Sequence, residues 1–384
     1  MSIQCLVNPR RQAGPYPEAL RPIQSLAALE QARAEIAIWP GYAPTPLRDL
    51  PGLAAAPGLA MIRYKDEAGR FSLSSFKALG GAYAGLRLLQ KQTGLSSAAL
   101  LAGRQREKLA GITVTCATDG NHGRSVAWGA QLFGCACVIY VHASVSQGRC
   151  DAIAAYGAQV IRCAGNYDDS VRQAQRDAEA NGWFVVSDTS YPGYRDVPRD
   201  VMQGYGVMIA EAYAQMQPAE YPTHVFVQGG VGGLAAAMLA YLWERFGAQR
   251  PVFVVVEPEK AACLFESARA GHPVAVGGDL DTVMAGLACG EVSELAWEIL
   301  DPGADGFMII PDDAALAMMR RLADTRVVAG ESAVAGLAGA LAARAQGWFE
   351  LNAQSRLLVF GSEGATDPAL YRQIVGRSHS EVAA

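Results

Sequence analysis

Val225-Phe226-Val227-Gln228-Gly229-Gly230-Val231-Gly232-Gly233-Leu234 is the stretch on which the fold turns. Val225–Val227 reads as a short apolar strand, and Leu234–Phe246 has helical spacing. The next apolar run, Val252–Glu257, reads as a second strand. Strand, helix and strand at this spacing make a crossover unit with parallel strands. The intervening loop has four glycines in five residues. Glycine lets backbone N–H groups close on an anion at the start of a helix. Two guests are open at this point. One is the phosphate of a small cofactor. The other is a dinucleotide, because Gly230-x-Gly232-x-x-Ala235 fits that fingerprint and Glu257 ends the next strand where a ribose-binding acid would sit. No Gly-Lys-Ser/Thr follows, which excludes a Walker loop.

The same alternation runs outward in both directions. Upstream, Gly111–Thr115, Ala136–Val141, Gln159–Cys163 and Trp183–Val186 read as strands. Gly123–Phe133, Gly148–Tyr156 and Tyr167–Asn181 read as the helices between them. Nearer the N-terminus, helical spacing falls within Ile23–Trp39 and over Gly80–Thr93, with a strand at Ala60–Asp66. Gly41–Leu50 reads as loop. The last strand is Ser355–Phe360. The class is therefore α/β, with largely parallel sheets covered by helices on both faces. A chain of 384 residues is long enough for two domains. No repeat or low-complexity linker marks a boundary between them.

The net charge of −5 leaves no electrostatic footprint for nucleic acid. The apolar runs are too interrupted by glycine and charge to span a membrane. The opening residues, Met1-Ser2-Ile3-Gln4-Cys5, lack the basic segment and apolar stretch of a leader, so the expected location is cytoplasmic. The eight cysteines form no Cys-x-x-Cys and no Cys/His cluster at zinc spacing, and no metal is expected. A disulfide between Cys263 and Cys289 is conceivable, but a reducing compartment argues against it.

Three further features sit where an α/β sheet binds ligands, at the carboxyl ends of strands or beside them. Lys77 lies in Ser74-Ser75-Phe76-Lys77-Ala78-Leu79-Gly80-Gly81, with no other charge from Leu73 to Leu86. An ammonium there is costly unless paired or neutralised, and a lysine easily deprotonated can form a Schiff base. The alternative is a surface lysine opening a helix. Thr118-Asp119-Gly120-Asn121-His122-Gly123 follows a strand and opens a helix whose free N–H groups suit a carboxylate. Asp119 could be a capping acid or a general base, and Asn121 could cap or bind a ring hydroxyl. Ser362, in Phe360-Gly361-Ser362-Glu363-Gly364, could meet a heterocyclic nitrogen, or be there for the turn alone.

Taken in order, these segments resemble the fold type II pyridoxal-phosphate enzymes, the tryptophan-synthase β or threonine-dehydratase-like group. The resemblance spans essentially the whole chain. It implies that Lys77 carries pyridoxal phosphate. It implies that Gly229, Gly230, Val231, Gly232 and Gly233 hold the phosphate, with Asn121 at the ring hydroxyl and Ser362 at the ring nitrogen. Thr118, Asp119, Gly120, Asn121 and His122 would bind the substrate carboxylate. Within the group the chain is most similar to the diaminopropionate ammonia-lyase subgroup. The carrying segments are Phe76–Tyr83, Ala117–Gly123, Ser187-Asp188-Thr189-Ser190-Tyr191 and Met284–Gly290. Dehydratases usually have Ser-Ser-Gly-Asn-His where this chain has Thr118-Asp119-Gly120-Asn121-His122. One departure is Ser74-Ser75 before Phe76, where related lyases often carry Asn.

The implied reaction is elimination of ammonia from 2,3-diaminopropionate, both D and L, to pyruvate and ammonia. Lys77, Asp119 and Asp188 are the catalytic candidates. Lys77 would serve one face of the substrate and Asp119 the other. A serine/threonine dehydratase, or another β-eliminating lyase of the group, is the nearest alternative. A nicotinamide-dependent dehydrogenase would leave Lys77, Asp119 and Ser362 without roles. A non-catalytic protein on this fold would be expected to lose Lys77. The resemblance further implies a homodimer and two domains with the cofactor between them. The large domain would be 1–85 with 201–384, and the small one 86–200, carrying the carboxylate loop.

Overall fold

Runs such as His224–Gln228, Val252–Pro258 and Gly306–Ile310 are apolar along almost their whole length. Such strands need cover on both faces, which parallel strands receive from crossover helices. The computed structural model describes residues 3–118, 120–165 and 167–384, leaving aside the side chain of 168. It contains a seven-stranded sheet in the order β1-β10-β9-β8-β11-β3-β2. These strands are β1 (Gln4–Val7), β2 (Leu47–Asp49), β3 (Met61–Asp66), β8 (His224–Gln228), β9 (Val252–Pro258), β10 (Gly306–Ile310) and β11 (Arg356–Gly361). The five inner strands run parallel, and the two short edge strands β1 and β2 are antiparallel to their neighbours. Edges this short, three and four residues, discourage pairing with other chains.

A second sheet of four parallel strands has the order β6-β5-β4-β7. It is made from β4 (Thr113–Ala117), β5 (Ala136–Val141), β6 (Gln159–Arg162) and β7 (Phe184–Val185). The expected Gly41–Leu50 loop is corrected, because Leu47–Asp49 pairs with β3 along the sheet edge. Two of its three side chains are exposed, so no apolar alternation announces it. Strands β1 and β10 were also not expected from the sequence.

The helix Ala78–Thr93 couples the two sheets. It packs against Asn121–Phe133 from the small-sheet side and against Asp196–Ala214 from the other. Small residues set both distances. A Cβ at Gly204 would stand 1.8 Å from the Leu79 carbonyl oxygen, and one at Gly81 would stand 2.1 Å from Ser125 Oγ. Only glycine lets these helix backbones approach so closely. Helix Gly233–Phe246 is buried from Gly233 through Trp243, and it packs against Asp196–Ala214 and Glu294–Gly303. A helix apolar all round is a core element rather than a surface one.

Four charges are buried beside β3. Lys65 Nζ binds Glu211 Oε2 at 2.8 Å, and Arg70 bridges Glu211 and Glu67, both at 2.7 Å. Thr45 and Tyr42 add hydrogen bonds to the two glutamates. Two positive and two negative groups cancel, so the burial is tolerated. The cluster ties β3 and the turn after it to the helix Asp196–Ala214. The chain then passes through Phe71, Ser72 and Ser74, all at positive φ, before reaching Lys77. Non-glycine residues in that region cost energy and persist where the surroundings over-determine them.

Candidate active site

A cleft of about 1220 Å³ opens between the two sheets, at the carboxyl ends of β4, β5, β8 and β11. Lys77, Ser362, Asn121, Asp188 and the residues Gly230–Gly233 all line it. Lys77 is the residue before the helix Ala78–Thr93, and its position is set from two sides. The Phe76 N–H donates to the Ser362 carbonyl at 3.0 Å, and the Gly364 N–H to that of Ser74 at 2.9 Å. Ser75 and Glu363 form an antiparallel bridge between the two segments. The lysine and the Ser362 turn are thus one backbone-paired unit.

Lys77 Nζ donates to Asp188 Oδ2 at 2.6 Å, with about a fifth of each side chain exposed. Burial opposes both charges, yet each holds the other. The Asp188 carboxylate keeps the lysine pKa above its ordinary value, and Lys77 keeps the Asp188 carboxyl below its own. The rings of Phe76 and Tyr205 lie 5.4 and 5.7 Å from Nζ and add cation–π attraction.

His122 Nε2 faces the Val186 carbonyl at 2.7 Å, so this nitrogen carries the proton and donates. Its Nδ1 stands 3.8 Å from Asp188 Oδ2. Burial holds the imidazole pKa below its usual value, with the Lys77 charge acting in the same sense. His122 therefore braces the segment that carries Asp188. Thr118 Oγ1 accepts from the N–H groups of Gly120 and Gly123, so its hydroxyl caps the helix Asn121–Phe133. Asn121 Nδ2 donates to Glu363 Oε2, and its Oδ1 accepts from Arg124. Asp119 lies outside the described residues.

The glycine loop begins the helix Gly233–Phe246. Gly232 sits at φ +100°, and a Cβ there would come within 3.1 Å of Leu300, Ala296 and Leu264. At Gly230 a Cβ would stand 3.1 Å from Cys289 Sγ. Side chains are excluded, and the first-turn N–H groups of the helix face the cleft without intrahelical partners. Gly229 is different. Its N–H donates to the Val256 carbonyl at 2.9 Å, and a Cβ there would strike Leu264 and Val255 at 2.7 Å. It closes the strand end and does not line the cleft.

A phosphate cradle, an amine nucleophile and a hydroxyl facing the same cavity suit pyridoxal phosphate, and the excluded side chains leave room for its phosphate. The acid that would bind the ribose of a nicotinamide dinucleotide is not available for it. Glu257 is buried, with its carboxylate bound to the N–H groups of Leu264 and Phe265. No disulfide joins Cys263 and Cys289. Among the described residues no His, Cys, Asp and Glu cluster could hold a metal ion. Among the same residues no helix is long and apolar enough to cross a membrane.

Several cleft residues were not among the sequence candidates. Gln228, Tyr205 and Glu331 all line the cavity. Gln228 could have been noticed as the last residue of the strand feeding the glycine loop. Tyr205 and Glu331 sit in segments with no local signal.

The chain belongs to the pyridoxal-phosphate-dependent enzymes, whose family model matches residues 38–360, and it has their fold type II architecture. It is 42% identical over 358 residues to the diaminopropionate ammonia-lyase of Escherichia coli, covering 89% of this chain and 90% of that one. A crystal structure of the Escherichia coli diaminopropionate ammonia lyase, in complex with an aminoacrylate-PLP azomethine reaction intermediate, superposes with a TM-score of 0.87 at 39% identity, covering 97% of each chain. The same enzyme in complex with D-serine gives a TM-score of 0.86 at 37% identity, again over 97% of both chains.

Proposed function

We propose that the chain is a carbon–nitrogen lyase that eliminates ammonia from 2,3-diaminopropionate, in both isomers, to give pyruvate and ammonia. The observation that carries this reading is the Lys77–Asp188 pair at 2.6 Å, in one cleft with the glycine cradle and Ser362. When bound, pyridoxal phosphate supplies the electron sink for the carbon–hydrogen bond broken at Cα.

The N–H groups of the Gly230–Gly233 loop would hold the phosphate. Ser362 would meet the ring nitrogen, and the Asn121 amide, oriented by Glu363, would meet the ring hydroxyl. Lys77 would be the residue that holds the cofactor carbonyl carbon, and its amine, when free, is placed to take a proton from the substrate. It then removes the Cα proton of the L-isomer from one face, and Asp119 removes that of the D-isomer from the other. The substrate carboxylate lies at the start of the helix Asn121–Phe133, by Gly120 and His122. The β-ammonium leaves as ammonia. The three-carbon enamine that remains is hydrolysed to pyruvate and a second ammonia.

Asp188 has two partners in this scheme. It holds the Lys77 ammonium, and it is left without that partner whenever Lys77 is bound to the cofactor. The second, cationic amine of the substrate then takes its place. A serine or threonine side chain offers only a neutral hydroxyl there, so the carboxylate favours the diamino acid. The two sheets support a division into a large domain, 1–85 with 201–384, and a small one, 86–200. A homodimer in the cytoplasm fits the same family reading.

Purified holoenzyme should show a visible absorption band that borohydride bleaches, with the reduced cofactor recovered on the Lys77 peptide. Label on another lysine, or protein that cannot be loaded with pyridoxal phosphate, would overturn the assignment.

A further inference from the structure

The cleft contains a hydrogen-bond direction that residue types alone do not fix. Strands β8 and β11 pair only as far as Phe226 and Val359. Beyond that point the side chain of Gln228 fills the gap. Its Nε2 donates to the Phe360 carbonyl at 2.8 Å and to Ser362 Oγ at 2.6 Å. The carbonyl can only accept, so the group facing it must be the NH₂ and not the amide oxygen. Both amide hydrogens are then in use. The amide oxygen is buried against Gly336 and has no partner among the described residues. Turning the amide over would set two acceptors against each other at Phe360. The orientation is therefore locked, even though it leaves one acceptor unsatisfied.

The consequence falls on Ser362. Its oxygen already accepts from Gln228, and its one hydrogen remains to be given. Ser362 is buried and lines the cleft. Its backbone carbonyl is engaged by the Phe76 N–H. We propose that Gln228 is a positioning residue that forces the Ser362 hydroxyl to act as a donor into the cleft, so that the ring nitrogen of pyridoxal phosphate is met as an acceptor and kept unprotonated. This rests on Ser362 being the ring-nitrogen partner. The serine oxygen has a second lone pair, but accepting from a protonated ring would leave its own hydrogen without an acceptor, because Gln228 presents only N–H to it. The ring then withdraws electrons weakly, and a carbanion at Cα expels its β-substituent rather than persisting to be reprotonated.

The test uses holoenzyme carrying pyridoxal phosphate isotope-labelled at the ring nitrogen and reads that nitrogen by NMR. Wild type should resonate as a neutral, hydrogen-bonded pyridine. In Gln228→Glu the new carboxyl group draws the Ser362 hydrogen to itself, and the resonance should move toward that of a protonated ring. Racemisation or transamination should rise as elimination falls, with kcat about tenfold lower and KM little changed. Gln228→Leu, which removes the donor without adding charge, should move the resonance less but in the same direction. Ser362→Ala separates the ring contact from its orientation by Gln228. If it leaves the nitrogen unmoved, Ser362 is not the ring partner. If it moves the nitrogen but neither Gln228 variant does, the orienting role of Gln228 is wrong.

Discussion

Glu331 sets a residue-scale pH dependence. It lines the cleft, about 95% buried, with Arg149 at 3.7 Å from its carboxylate. Burial, reinforced by the neighbouring Glu363 charge, pushes its carboxyl up to about 7, from an ordinary 4.5. Between those values the folded protein keeps a proton that the unfolded chain has lost. Stability from this group is therefore present below about 4.5 and is lost as the pH rises through about 7. Glu331→Gln should match wild type in melting temperature near pH 4 and exceed it near pH 8, the order-of-magnitude window set by linkage. An offset equal at both pH values would contradict this. The two catalytic faces are tested at the same scale. Asp119→Asn should damage turnover of D-diaminopropionate far more than that of the L-isomer. Equal loss on both would leave Asp119 as a binding group only.

At the scale of elements, the approach to Lys77 depends on the buried cluster of Lys65, Arg70, Glu67 and Glu211. Glu211→Gln leaves two buried cations facing one carboxylate. Removing one member of such a group costs about 3–5 kcal/mol. A denaturant titration should show a loss of that size, and a loss below about 1 kcal/mol would mean the charges are solvated after all. Elements also show what could be read beforehand. The inner parallel strands were legible wherever apolar runs such as Val252–Glu257 fell between helical segments. The edge strand Leu47–Asp49 was not, because an edge has one partner and little apolar face to declare. Gly306–Ile310 is fully buried but follows a helix ending Asp301-Pro302-Gly303, where turn residues obscure the pattern. Helices began earlier than their spacing suggested, at Ala78 and Asn121, since their first turns are glycine-rich or polar.

For the whole molecule, the site exists only where two sheets meet. Lys77, the Asn121 loop, the glycine loop and Ser362 could be found one by one, because each is a local departure from ordinary strand-end chemistry. Tyr205 and Glu331 could not, and Gln228 shows in the sequence only as the end of its strand, because their partners are distant in the chain. Gln228 reaches Ser362 across 134 positions, and Asp188 reaches Lys77 across 111. Asp188 was legible as a candidate, but the pairing with Lys77 that explains its acidity is a property of the folded chain. The second amine of the substrate is the decisive feature. Its most direct test is keto-acid release by the holoenzyme from D- and L-2,3-diaminopropionate, serine and threonine. Diaminopropionate should exceed serine and threonine in kcat/KM by about tenfold or more, for both isomers, since a site built for a charged partner rejects the analogue lacking it. Serine or threonine turned over as well as diaminopropionate would contradict the account.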